Sequence, residues 1–268
     1  VQKFAVIGRG IQHSLSPIIH QQFAKQFNIK LDYQIIEAVD NQDFTNKVFA
    51  FFATGGVGLS VTSPFKQQAY ELAKYKHVNA LSSKSGNTLW KNNNNVLQVE
   101  NTDGNGLLTD LKTNNNLDIS NKILLILGCG GVVFNIIKFL LAEKPKAILI
   151  SNRTQHKIFQ LIKNLRLDNN KVTHFTEQSK QKIDLVVDCR VPTDDIATIN
   201  KIISYNCTYY NLGYTTQINN ICGLLTKNNT PAFDGLGMLV EQAALQFYLW
   251  HSKRPKTSYI LDHLKSNS

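Results

Sequence analysis

The residues best placed to do chemistry form a glycine turn between two apolar runs. Lys122-Ile123-Leu124-Leu125-Ile126-Leu127 is a near-continuous apolar run of strand length, and Gly128-Cys129-Gly130-Gly131 follows at once. Val133, Ile136, Ile137, Leu140 and Leu141 then recur at the spacing of one helix face, and Lys144-Pro145 stops the pattern. A second run, Ala147-Ile148-Leu149-Ile150, leads into Ser151-Asn152-Arg153-Thr154. The order is strand, glycine turn, helix, strand: one right-handed βαβ unit. Its chemistry is phosphate binding. Gly128, Gly130 and Gly131 let the backbone approach a pyrophosphate, which rests on the free N–H groups of the helix N-terminus. A dinucleotide site usually carries an acid after the second strand, to hold the ribose 2′-hydroxyl. Arg153 stands there instead and suits a 2′-phosphate, so the expected cofactor is NADP rather than NAD. Val133 replaces the third glycine of G-x-G-x-x-G, so this pattern alone also fits a core turn that holds no ligand.

Two further groups stand out earlier in the chain. Ser14 and Ser16 follow a short strand, Phe4-Ala5-Val6-Ile7-Gly8, and so sit at a strand's C-terminal end, where α/β sheets bind ligands. Ser16-Pro17 reads as a helix start, with Ser16 as cap and Pro17 in the first helical position. Lys66 opens a helix after Leu59-Ser60-Val61-Thr62 and Ser63-Pro64. A lysine there is on the unfavourable end of the helix dipole, which calls for an acidic partner or an anionic ligand.

The elements that position these groups alternate between strand and helix. Leu31–Val39 reads as a strand, and Asn41–Ala53 as a helix with Phe44, Val48, Phe51 and Phe52 on its buried side. Lys66 to about Tyr75 reads as a helix. Asn87–Lys91 and Val96–Glu100 form a hairpin that delivers Asn101-Thr102-Asp103-Gly104. Gly104–Lys112 reads as a helix and 113–121 as a polar linker. Beyond the βαβ unit, further strands are expected at 171–175, 184–188 and 208–212, a loop at 234–238, and a helix over 239–250. The C-terminal residues should be helical and pack back on the first domain. The expected fold class is α/β. An open α/β substrate domain, residues 1–103 completed by 238–268, joins a Rossmann-like doubly wound NADP-binding domain, residues 104–237, with a cleft between them.

Composition narrows the function classes. The chain has 268 residues, is 43% hydrophobic, and carries 29 Lys+Arg against 19 Asp+Glu, a net charge of +10. The basic residues are scattered among Asn and Gln without a long run or an aromatic-basic stripe. That describes a basic surface suited to anionic small molecules better than a nucleic-acid interface. The apolar stretch 123–137 is interrupted by glycines and too short to span a bilayer, and residues 1–7 are too short for a signal peptide. A cytoplasmic protein is expected. The four cysteines, Cys129, Cys189, Cys207 and Cys222, form no C-x-x-C pair, and no His/Cys grouping has metal-ligand spacing, so no metal is expected.

Taken together, the motifs resemble the shikimate dehydrogenase family, in order and over nearly the whole chain. They are Ser14-Leu15-Ser16-Pro17, Val61-Thr62-Ser63-Pro64-Phe65-Lys66, Asn87-Thr88, Asn101-Thr102-Asp103-Gly104, Asn152-Arg153-Thr154, and Asp234-Gly235-Leu236-Gly237-Met238-Leu239-Val240-Glu241-Gln242-Ala243-Ala244. The resemblance implies an NADP-dependent oxidoreductase that interconverts 3-dehydroshikimate and shikimate in aromatic amino acid biosynthesis. It implies that Ser14, Ser16 and Tyr214 bind the substrate carboxylate, and that Thr62, Asn87 and Gln242 bind ring hydroxyls. Lys66 and Asp103 would be the catalytic pair. Asn152, Arg153 and Thr154 would hold the adenosine 2′-phosphate, and Gly237 and Met238 would line the nicotinamide pocket. Reducing a ring ketone needs a proton donor beside the oxygen where charge develops, which suits Lys66 held by Asp103. The implied partner is a small molecule, with neither nucleic acid nor membrane, and the protein would be a monomer or homodimer.

Departures from the family pattern gather on the cofactor side. Val132-Val133-Phe134 stands where small residues and a basic one are usual, Asp188-Cys189-Arg190 replaces N-A-T, and Asn211 replaces an aspartate. Lys84-Ser85-Gly86-Asn87-Thr88 replaces G-A-V-N-T, and Gly8-Arg9-Gly10 replaces G-N-P. Val133 is expected to push the helix N-terminus outward and weaken NADPH binding, with Arg190 restoring part of the lost positive charge. The alternatives are a broader quinate/shikimate dehydrogenase, or a shikimate-binding member with weak or no dehydrogenase activity.

Overall fold

A computed structural model of the protein describes residues 1–176, 181–191 and 196–266. The chain divides into two compact units, Val1–Gly106 with the segment beginning at Val240, and Leu107–Leu239.

The first unit begins with β1 (Gln2–Gly8), α1 (Ser16–Gln26), β2 (Leu31–Glu37), α2 (Asn41–Ala53), β3 (Gly56–Val61) and α3 (Lys66–Leu72). It continues with β4 (Tyr75–Lys76), α4 (Val78–Ser83), β5 (Thr88–Lys91), β6 (Leu97–Glu100) and α5 (Asp103–Thr109). Its six-stranded sheet runs β2-β1-β3-β5-β6-β4, with β5 antiparallel to both β3 and β6. Strand β1 is buried from Phe4 to Ile7, so the turn that follows it opens at the edge of a covered sheet. Asp40 caps α2 by accepting the Asp43 N–H at 2.8 Å.

Two expectations shift here. Ser16 is the first helical residue rather than the cap; Leu15 holds the cap position and no side chain caps the helix. Pro17 explains this, because it sits near the helix start and lacks one of the N–H groups a cap would satisfy. Helix α3 stops at Leu72, because Ala73 turns extended and Tyr75–Lys76 pairs with β6.

The second unit holds β7 (Ile123–Leu127), α6 (Gly131–Ala142), β8 (Ala147–Ser151), α7 (His156–Leu165), β9 (Val172–His174), β10 (Leu185–Asp188), α8 (Ile196–Ser204), β11 (Thr208–Asn211), α9 (Thr216–Lys227) and β12 (Ala232–Phe233). The paired strands are all parallel, in the order β12-β11-β10-β7-β8-β9. This is the doubly wound dinucleotide order, whose topological switch point lies between β7 and β10. Every side chain of β7 is buried. Leu124 and Ile126 pack with Val133, Ile136 and Ile137 on one face, while Leu125 and Leu127 pack with Ile202, Tyr209 and Ile218 on the other. Each such residue contributes about 1.5–3 kcal/mol by leaving water. That two-sided burial fixes the exit of β7, and hence the glycine turn.

Helices α10 (Leu236–His251) and α11 (Ser258–Ser266) end the chain. The stretch expected as a loop up to Met238 is helical from Leu236, because Asp234 accepts the Leu236 N–H at 3.0 Å and starts the turn early. Gln26 and Lys256 exchange two hydrogen bonds of 2.8 Å, which ties the C-terminal segment to α1 within the first unit.

Candidate active site

In the first unit, polar side chains from five elements or their flanking turns converge. Lys66 heads α3 and Asp103 heads α5, and Lys66 Nζ donates to Asp103 Oδ2 at 2.7 Å. The acid that an N-terminal lysine calls for is therefore present. The Asp103 side chain is 5% exposed and that of Lys66 is 21% exposed, so the pair is shielded without being sealed. The other Asp103 oxygen accepts from Asn87 Nδ2 at 2.7 Å. The same Asn87 amide lies 2.9 Å from Thr102 Oγ1 and 3.1 Å from Gln242 Oε1. The Thr102 hydroxyl also donates, to Gln242 Oε1 at 3.3 Å, so the groups are cross-paired and hold one another in place. A ligand whose ring hydroxyls can both donate and accept fits such a cluster. Asn87 is itself fixed, because its Oδ1 accepts from the Thr102 N–H at 2.9 Å and from Thr88 Oγ1 at 2.8 Å.

The turn carrying Ser14 and Ser16 is held from β2. Glu37 accepts the N–H groups of Gly10 (2.8 Å) and Ile11 (2.7 Å), and Arg9 donates to the Val39 carbonyl. Ser14 Oγ accepts the Ser16 N–H at 3.3 Å. Ser16 is buried while Ser14 is half-buried. Thr62 is half-buried at the end of β3, where its N–H donates to the Ile7 carbonyl at 3.0 Å.

In the second unit, Gly128 leaves β7 at φ +97°, a conformation that glycine adopts without strain. Gly130 caps α6 with no side-chain cap bond, and α6 has no acid in its first turn. A Cβ built on Gly130 or Gly131 would meet nothing within 4 Å, so the ground above the helix N-terminus is open. Open space over uncapped N–H groups fits a phosphate. At the end of β8, Asn152 Nδ2 donates to the Thr154 carbonyl at 2.8 Å. Arg153 is exposed and has no acidic partner among the described residues. An exposed guanidinium after β8, with an open helix N-terminus after the neighbouring β7 at the switch point of the sheet, fits a dinucleotide with a 2′-phosphate.

Three family models cover most of the chain. Residues 6–89 match the shikimate dehydrogenase substrate binding domain, 110–203 match shikimate / quinate 5-dehydrogenase, and 235–265 match the shikimate 5′-dehydrogenase C-terminal domain. The chain is 39% identical over 270 residues to shikimate dehydrogenase (NADP(+)) of Legionella pneumophila strain Philadelphia 1, covering 99% of each. The chain belongs to the shikimate dehydrogenase family. The corresponding protein of Vesicomyosocius okutanii is 38% identical over 272 residues, covering 98% of this chain and 99% of that one. Among solved structures, an Ael1 enzyme from Pseudomonas putida superposes with a TM-score of 0.86 at 32% identity, covering 98% of each chain. Shikimate dehydrogenase from Aquifex aeolicus shares the fold, with a TM-score of 0.86 at 23% identity, covering 100% of this chain and 98% of the other.

Within this family framework the structure gathers Lys66, Asp103, Asn87 and Gln242 into one hydrogen-bonded cluster. Tyr214 lies in the second unit, between β11 and α9, 37% exposed, with burial raising its phenol pKa. Gly237 and Met238 lie in the first turn of α10. Met238 is buried in the core of the second unit, and a Cβ on Gly237 would overlap the Asp110 carboxylate. Arg190 is not a loose charge. Its Nε and a terminal nitrogen grip Asp188 at 2.9 and 2.7 Å, and its Cγ lies 3.2 Å from where a Gly128 Cβ would be. Val133 is fully buried beside Ile136 and Ile137 rather than standing off the strand.

Sequence reasoning missed Glu37, Thr102, Tyr33, Ser60 and Gln246. Two of these carried a signal. Ser60 is polar within the buried half of β3, and Gln246 follows Gln242 by four residues on the same face of α10.

Proposed function

We propose that this protein catalyses the reversible NADP-dependent reduction of 3-dehydroshikimate to shikimate, as the names of its relatives indicate. The observation that carries the reading is the Lys66–Asp103 pair at 2.7 Å, shielded and set in a cross-paired polar cluster. NADPH, when bound, supplies the hydride. The remaining work belongs to this chain. One N–H of the Lys66 ammonium is held by Asp103, and the others are available to a ketone oxygen. Lys66 thus offers positive charge and a proton where the alkoxide develops. Asp103 aims the lysine and, with Asn87, Thr62 and Gln242, accepts or donates to ring hydroxyls. Ser14, Ser16 and Tyr214 take the carboxylate. Gly128, Gly130 and Gly131 cradle the pyrophosphate, while Asn152, Arg153 and Thr154 receive the adenosine 2′-phosphate. Arg190 supports the glycine turn from the neighbouring loop, and the backbone at Gly237 and Met238 borders the nicotinamide.

Among the described residues, no helix is long and apolar enough to cross a membrane, and no group of three or more His, Cys, Asp or Glu side chains is arranged to hold a metal. The reading places the reaction in the cytoplasm, in a monomer or homodimer. Its test is cofactor reduction followed by absorbance, with shikimate or quinate and NADP⁺ or NAD⁺. Turnover should be fastest with shikimate and NADP⁺. Shikimate binding without any turnover would reduce the protein to a binding member of the family, and preference for quinate or NAD⁺ would correct the substrate or cofactor.

A further inference from the structure

Behind the polar cluster runs a second series of buried polar groups that the proposed catalytic roles do not use. Tyr33, from β2, lies 2.6 Å through its hydroxyl from Ser60 Oγ on β3. Ser60 Oγ lies 2.6 Å from Gln246 Oε1 on α10, and Gln246 Nε2 donates to the Asn87 carbonyl at 2.9 Å. At the other end Tyr33 stacks on His20, four residues after Ser16 in α1, and the Ser16 side chain lies near enough to the phenol to favour its ionised form. Ser16, Tyr33, Ser60, Gln246 and Asn87 are all less than a tenth exposed.

The chemistry of the groups fixes the direction of the series. Gln246 Oε1 can only accept, so the Ser60 hydroxyl donates to it. Ser60 Oγ then accepts from Tyr33, which leaves the Tyr33 oxygen able to accept from Ser16. At the far end, the Asn87 carbonyl also receives the Val61 N–H at 2.7 Å, so Gln246 adds a second, side-chain anchor to a residue whose amide holds Asp103. Tyr33 cannot swing out of line, because His20 stacks on its ring with centroids 4.6 Å apart and 13° between planes. Burying this many polar groups is costly unless each is paired, so a fully paired series makes one spacing much more favourable than its neighbours.

We propose that Gln246 and Tyr33 are positioning residues, which hold Ser16 and Asn87 at the spacing required between the substrate carboxylate and the carbon that reacts. The inference rests on the functional reading above. Neither residue touches the reacting atoms; they act through Ser16 at one end and through Asn87 and Asp103 at the other. A substrate whose carboxylate is seated by Ser16 then meets Lys66 with its ketone in register, and small losses of register are expensive in rate.

The experiment compares wild type, Gln246→Leu, Tyr33→Phe and the double variant for kcat, for KM with shikimate, for KM with NADP⁺ and for Tm. Each single variant should lose about tenfold or more in kcat/KM for shikimate, with KM for NADP⁺ within about twofold of wild type. The double variant should lose little more than the worse single, because both interrupt one series. Tyr33→Phe keeps the ring and its stack on His20, so it preserves the test if Gln246→Leu folds poorly. Variants with lowered Tm but wild-type kinetic constants below the melting range would show a purely structural role and overturn the inference. So would equal losses toward shikimate and NADP⁺. An inactive wild type would overturn the functional reading and this inference together, whereas an active wild type matched by its variants would overturn the inference alone.

Discussion

The two oxygens of Asp103 are both occupied by donors, and this makes Asp103→Asn a sharp perturbation. Oδ1 accepts from the Asn87 amide and Oδ2 from the Lys66 ammonium, each at 2.7 Å. An asparagine has the same shape but only one acceptor. Whichever way its amide turns, an N–H faces either the Asn87 N–H or the Lys66 ammonium, and one contact becomes repulsive. The variant also removes the charge that holds the lysine. Opposite charges about 4 Å apart at an effective dielectric constant of about 20 attract by about 4 kcal/mol, and a charge-assisted hydrogen bond is worth about 1.5–3 kcal/mol. The Lys66 side chain is 21% exposed, so solvent recovers part of this. A loss of about 3 kcal/mol in transition-state stabilisation, roughly a hundredfold in kcat, is the expected result. KM for shikimate should change far less, because the charge that Lys66 meets arises mainly in the transition state. Tm should fall, because the variant sets one amide N–H against another donor and strips the counter-ion from the shielded Lys66 ammonium. Steady-state kinetics with shikimate and NADP⁺, beside a thermal melt, would decide. A folded Asp103→Asn protein with kcat within about threefold of wild type would refute the role given to this pair.

Replacing Arg153 with serine should raise KM for NADPH about tenfold while leaving KM for NADH nearly unchanged, since the charge-assisted contact exists only with the 2′-phosphate; equal losses would show that Arg153 merely shapes its loop. Gly237→Ala should destabilise the protein by about 1–3 kcal/mol through overlap with Asp110, read by urea denaturation; a wild-type midpoint would count against this. Arg190→Ala should cost stability as well as cofactor affinity, because it strips the ion-pair partner from buried Asp188; Asp188→Asn in the same chain should recover part of the stability, and additive losses would refute the pairing. Burial pushes the His20 pKa from 6.5 down to about 3, with His251 on α10 and the phenol of Tyr33 on β2 as its titratable neighbours. The unfolded chain therefore binds the extra proton across that window, and stability should fall as pH drops below 6.5, by about 2 kcal/mol near pH 5. His20→Phe should remove about half of that acid limb of the Tm profile, because burial holds His251 down to about 4 and it loses stability over the same window; an unchanged slope would assign the limb to other groups.

Strong periodicity carries most of the fold. The run 123–127 can be read as a strand because all its residues are apolar, and both of its faces are covered. Asn41–Ala53 can be read because Phe44, Val48, Phe51 and Phe52 share one face and Asp40 supplies a cap. Short elements are not legible. Tyr75–Lys76 and Ala232–Phe233 are two-residue strands whose only reason to be extended is the neighbour they pair with. The start of α10 is hidden because glycines at 235 and 237 read as loop, whereas Gly237 is glycine to make room for Asp110. At the candidate site, Lys66 announces a missing acid by its place at a helix start. Which acid it is does not follow from spacing, since Asp103 lies 37 residues away. The Tyr33–Ser60–Gln246 series is only hinted at, by a polar Ser60 in the buried half of β3 and by Gln246 one turn after Gln242; only the packing of β2, β3 and α10 makes them neighbours.

The departures from the family pattern in the second unit look independent in sequence and are one network in space. Asp188 accepts from Arg190 and from the Tyr209 hydroxyl (3.1 Å), Asn211 Nδ2 donates to that hydroxyl at 2.8 Å, and Asn211 Oδ1 accepts the Gly213 N–H at 2.8 Å. Were residue 211 an aspartate, it would stand opposite Asp188 in the sheet as a second buried carboxylate, and the Tyr209 hydroxyl would face two acceptors with a single hydrogen to give. With asparagine at 211, the amide supplies the hydrogen that Tyr209 accepts while Tyr209 gives its own to Asp188. Arg190 then closes the set by matching the single remaining negative charge. Because β10 pairs with β7 in register, from Leu185 opposite Leu124 to Asp188 opposite Leu127, this set stands directly beside the glycine turn. Its net charge is zero. In the proposed reading, the positive charge that Phe134 does not provide is therefore not supplied by Arg190, and the electrostatic part of cofactor recognition falls to Arg153. This is why the expected loss on removing Arg153 is specific to the 2′-phosphate, whereas the expected loss on removing Arg190 begins with the fold of the loop.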